Sequence, residues 1–108
     1  MSNVGGQSQV TIRGVIGVGD LDKEQLTIVN TGGDMSLVGW TIHDSQGNVF
    51  FFPALALFQG GAVTVHTKSG TNTVIDLYWN QSTTMWQTGE VVSLVDPSGT
   101  TQTTYTIP

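Results

Sequence analysis

The feature that most constrains this chain is a repeated two-residue alternation of apolar and polar side chains. In "QVTIRGVI", Val10 and Ile12 share one face, and Thr11 and Arg13 the other. In "EQLTIVN", Leu26 and Ile28 stand opposite Thr27. In "GWTIHD", Trp40 and Ile42 stand opposite Thr41 and His43. "AVTVHT" and "EVVSLVD" repeat the pattern with Val63 and Val65, and with Val92 and Leu94. A strand sends successive side chains to opposite faces, so each segment reads as a half-buried strand. No window holds apolar residues at helical spacing for long enough to make an amphipathic helix.

The punctuation agrees. Clusters of Gly, Asn, Asp and Ser separate the segments and supply turns. The alternation slips at Gly14, which predicts a bulge. "GVGDLDK" reads as a turn, and "TGGD" as a tight turn resting on positive φ at glycine. "SQGN" reads as a hairpin turn with Gly47 in the left-handed region. "VFFF" is a strand stopped by Pro53. "ALALFQGG" reads as a loop with room for one helical turn, and "KSGTNTVID" as a polar loop. "LYWNQSTTMWQTG" reads as a short strand and a loop, "PSG" as a turn, and "TQTTYTI" as the last strand. The expectation is an all-β antiparallel sandwich. Residues 1–8 read as a flexible lead-in and residues 9–108 as one domain.

Composition narrows the function. At 108 residues the chain makes one domain, and without cysteine it has neither disulfides nor thiolate metal sites. The formal net charge is −5, with 3 Lys+Arg. Arg13, Lys23 and Lys68 are far apart, so no cationic patch exists to grip phosphates. That argues against nucleic acid and against anionic membrane surfaces. No apolar run is long enough to span a bilayer, so no direct membrane insertion is expected. Thr and Gly take the place that charges usually hold. This composition points to an extracellular or cell-surface setting, and the chain reads as a domain of a larger protein.

Four ordered blocks carry a resemblance. They are "EQLTIVNTG", "LVGWTIHDSQGNVFFFP", "GGAVTVHTKSG" and "LYWNQSTTMWQTGEVVSLVDPSG". Together they resemble the lamin tail domain family, the immunoglobulin-like tail of nuclear lamins that also occurs in bacterial surface and secreted proteins. The matching positions include Glu24, Leu26, Ile28 and Asn30, then Gly39, Trp40 and Asp44, then Thr67 and Gly70. Two positions depart from the pattern, with Lys68 and Asn80 where glycine is usual. The resemblance implies an immunoglobulin-like antiparallel β-sandwich of about seven to nine strands. It also implies a non-catalytic role in protein contact, tethering or scaffolding, within a bacterial surface or secreted protein. Some nuclear lamin tails bind DNA, but this chain lacks the cations for it.

Several residues invite a chemical reading. His43, Asp44 and Ser45 are the residue types of a hydrolase triad. Adjacent strand residues diverge, however, and Ser45 lacks a nucleophile elbow. Asp44 is expected to accept N–H groups of its turn instead. His66 lies on a polar strand face, at no metal-ligand spacing from His43. Asp20, Asp22 and Glu24 alternate like calcium ligands but lack the EF-hand pattern, so a solvated turn is the simpler reading. No catalytic, cofactor-binding or metal residue is assigned, and no cofactor.

Trp40, Phe50 and Phe52 are expected in the core, with Val49 and Phe51 on the other face. Tyr78, Trp79 and Trp86 cap the open end of the sandwich in one reading. In the other they form a platform for glycan stacking, which makes a carbohydrate-binding module the alternative function. The leading expectation is a protein partner, met at the exposed final strand or the Phe51 face. Pairing of that edge strand would also give a homodimer.

Overall fold

The computed structural model describes residues 9–108, so the lead-in expected over residues 1–8 lies outside the described residues. Ten strand segments follow one another: β1 (Val10–Ile16), β2 (Gln25–Asn30), β3 (Met35–Ser36), β4 (Thr41–His43), β5 (Val49–Phe51), β6 (Ala56–Leu57), β7 (Ala62–His66), β8 (Asp76–Tyr78), β9 (Val91–Val95) and β10 (Thr101–Thr106). Eight of them form two four-stranded sheets, ordered β1-β2-β7-β8 and β10-β9-β4-β5. β3 and β6 make a separate two-stranded ribbon. The all-β immunoglobulin-like sandwich is therefore the observed architecture.

The alternation sets which face is buried. Val10, Ile12, Leu26, Ile28, Val63, Val65 and Leu77 enter the core from the first sheet. Trp40, Ile42, Phe50, Phe52, Val92 and Leu94 meet them from the second. Burying a side chain of this kind contributes roughly 1.5–3 kcal/mol. The register breaks between Ile12 and Gly14, where the alternation slips. A second break, between Thr101 and Thr103, bends the start of β10.

Three details differ from expectation. "ALALFQGG" forms β6 and a turn, with no helical turn, because Ala56 and Leu57 pair with Ser36 and Met35. Neither Gly32 nor Gly33 takes positive φ. The Asn30 side chain shapes that turn instead, accepting from Gly32 N at 2.9 Å and donating to Gly33 O at 2.8 Å and Leu57 O at 3.0 Å. Finally, β7 and β8 pair in parallel, within sheets that are otherwise antiparallel.

Candidate functional site

The apparent triad disperses. Asp44 is buried, and its Oδ1 accepts from Gln46 N at 2.9 Å and Asn48 N at 2.8 Å. Its Oδ2 accepts from Asn48 Nδ2 at 2.7 Å. Ser45 Oγ donates to Glu90 Oε2 at 3.1 Å, and His43 Nε2 lies 2.9 Å from Thr41 Oγ1. The three side chains thus serve three different partners. No nucleophile–base–orienter geometry joins them.

The loop aromatics are divided in the same way. Trp86 is buried, and Trp79 packs against it with ring centroids 5.6 Å apart. Trp79 also meets Phe50 edge-on at 5.8 Å, across the gap between the two sheets. These two close the sandwich and leave no pair of open ring faces. Tyr78 lies flat on His66 at 4.8 Å, and a Cβ on Gly70 would run into the Tyr78 ring. That contact explains why glycine stands at position 70. His66 Nε2 in turn sits 2.8 Å from Asp76 Oδ1. The alternative of one platform made by Tyr78, Trp79 and Trp86 is not assembled, and Trp79 with Trp86 takes the capping role.

Asp20, Asp22 and Glu24 do not converge either. Glu24 turns inward, where its Oε1 accepts from Thr67 Oγ1 at 2.8 Å and Met85 N at 2.6 Å. Its Oε2 accepts from Gly19 N at 3.3 Å. Asp20 Oδ1 takes Asp22 N, in a local turn. Glu90, also buried, accepts from Gln87 N and from Ser45 Oγ. A buried carboxylate needs donors. These two supply acceptors to loops that have no strand partner for their N–H groups. Sequence reasoning missed the depth of both. For Glu24 no local signal exists, since Thr67 and Met85 lie 43 and 61 positions along the chain.

What stays open is surface. β10 pairs with β9 on one side, its other flank runs near β1 of the facing sheet without a hydrogen-bonded ladder, and all six of its residues are uncharged. Phe51 projects outward with 73% of its area exposed. On the outer face of the second sheet lies an open groove of about 530 Å³. Its floor is Thr41, His43, Ser93 and Val95, and the Asp96–Thr101 turn forms a wall. Gly39 lies at the same wall with φ +81°, and a Cβ there would come 3.1 Å from Pro97 Cβ. Left-handed φ and this close approach together call for glycine before Trp40.

Fold and site together define an immunoglobulin-like domain most of whose acidic side chains hold turns and loops. The family model described as Lamin Tail Domain matches residues 3–108, and the chain belongs to that family. This is a family of non-catalytic immunoglobulin-like domains. No curated protein sequence matches the chain. The family's motif residues have plain physical work here. Glu24, Asn30, Asp44, Thr67 and Glu90 are, among the described residues, the buried polar groups that tie loops to strands. Asn80, where glycine is usual, adopts φ +60°, a conformation asparagine tolerates better than most residues.

Proposed function

We propose that this lamin-tail-type domain is a non-catalytic module that binds a protein partner through the open edge of β10. One observation carries the reading. β10 is a six-residue edge strand without charge or proline, two of the devices that block edge pairing, and its bulge is confined to its start at Thr101–Thr103. An extended partner segment would complete its unpaired backbone N–H and C=O groups. The setting we infer is a larger bacterial surface or secreted protein, in keeping with a composition poor in charge and rich in Thr and Gly. In that setting the domain tethers or scaffolds and does not catalyse.

The simplest partner is a second copy, joined β10 to β10. Sedimentation velocity over a wide concentration range tests it. The expected result is self-association that Thr104→Lys abolishes, since Thr104 is exposed on that strand. A protein that stays monomeric at the highest concentration removes the homodimer. Self-association that survives Thr104→Lys removes the edge.

A further inference from the structure

We propose that the groove on the outer face of the second sheet is a binding site for a neutral oligosaccharide, with Phe51 as its stacking platform. This goes beyond the protein-contact reading and does not depend on it. Strand register places the components in rows. Thr101, Val95, Thr41 and Phe51 stand side by side across β10, β9, β4 and β5. Thr104, Ser93, His43 and Val49 form the next row. With neighbouring strands roughly 4.8 Å apart, a row spans on the order of 14 Å. That length suits a short chain of sugar rings. The groove's volume of about 530 Å³ also falls among small-molecule sites.

The chemistry selects the ligand. Thr41, Ser93 and Thr101 each present a hydroxyl that donates once and accepts twice, the same valence as a sugar hydroxyl. His43 Nε2 is held by Thr41 Oγ1 at 2.9 Å, which fixes the ring and leaves Nδ1 for a further bond. No Lys or Arg lines the groove, so nothing there attracts an anion. The single carboxylate, Asp96, already receives bonds from Ser98, Thr100 and Gln102. Phe51 is not part of the groove's lining but stands next to Thr41 on the same face, one strand further on, and its exposed ring offers an electron-rich surface to the C–H groups of a pyranose that extends past Thr41. A peptide fits less well. The floor of a sheet offers side chains and no free backbone ladder, so a strand cannot add there.

The test is titration of isotope-labelled protein with cello-, xylo-, laminari-, manno- and chito-oligosaccharides, with oligogalacturonate as the acidic control. At least one neutral series should shift the amide signals of Thr41, His43, Ser93 and Val95, and the acidic control should not. Phe51→Ala should weaken that binding about tenfold or more, as losing a contact hot spot does. It should leave the melting temperature unchanged, because Phe51 points to solvent. Thr41→Val, which keeps shape and removes the hydroxyl, should weaken binding as well. The proposal is overturned if no neutral sugar moves those signals or if shifts fall elsewhere. It is equally overturned if the acidic control binds as well, or if Phe51→Ala keeps full affinity. Sedimentation of β10 variants reads the protein-contact proposal separately, so either can fail alone.

Discussion

Two turns of this protein share one design and differ in what surrounds them. "DSQGN" joins β4 to β5, and "DPSGT" joins β9 to β10. In each, the Asp Oδ1 accepts the N–H groups two and four residues on. In each, the Asp N–H donates to the carbonyl four residues on, at 3.1 Å from Asp44 and 2.9 Å from Asp96. In each, the fourth residue is glycine, at φ +89° for Gly47 and +88° for Gly99. Yet Asp44 is buried and tied through Asn48, while Asp96 is half-exposed and walls the groove. A local sequence code specifies the turn. Burial decides whether the turn is a structural anchor or a surface that can meet a ligand.

The largest effect expected is in the core beneath the first turn. Trp40 accepts the Phe52 N–H at 3.0 Å through its carbonyl and buries its indole. Trp40→Ala should cost about 3–5 kcal/mol in urea unfolding. Tyr105, half-buried on β10 beyond the second turn, should cost clearly less when truncated. A Tyr105→Ala loss as large would erase the distinction between the two hairpins.

The glycines sharpen the comparison. Around Gly47 and Gly99 there is open space, so alanine pays only for the left-handed backbone. Gly47→Ala and Gly99→Ala should each cost about 1–2 kcal/mol, and by similar amounts. Gly39→Ala should cost more, because its Cβ must also push Pro97 of the second turn. Thermal unfolding of the three variants checks the order.

The smallest effect is electrostatic. The Ser98 hydroxyl foremost, then the Thr100 N–H, hold the Asp96 carboxyl below its ordinary value of 3.8. A carboxyl lowered on folding stabilises the fold above its unfolded value, and that contribution fades as pH falls through the lowered folded value. The melting temperature of wild type should therefore exceed that of Asp96→Asn at neutral pH. The gap should close in strong acid. A gap that is constant with pH would mean that the ionised form gives no advantage.

Much of the fold was legible in the sequence, because period-2 segments and glycine turns are local signals. The inward Trp40, the outward Phe51, the bulge at Gly14 and the left-handed Gly47 all follow from residues a few positions apart. The ribbon of β3 and β6 was not legible, since two-residue strands are too short to show a period. Nor was the parallel pairing of β7 and β8, which depends on where an intervening loop returns. Glu24 bonds Met85 N from 61 positions away, so no local pattern announces its burial. The groove has the same origin. Thr41, Ser93 and Thr101 become neighbours only when β4, β9 and β10 pair.

The most direct measurement is urea unfolding of Asp44→Ala and Asp96→Ala, side by side at neutral pH. Removing Asp44 deletes a buried carboxylate and leaves the Gln46 and Asn48 N–H groups and the Asn48 amide without their acceptor, and should cost about 2–3 kcal/mol. Removing Asp96 frees groups that water can reach, so that variant should lose much less. Equal losses, or a larger loss at Asp96, would contradict the assignment of one turn to structure and the other to the surface.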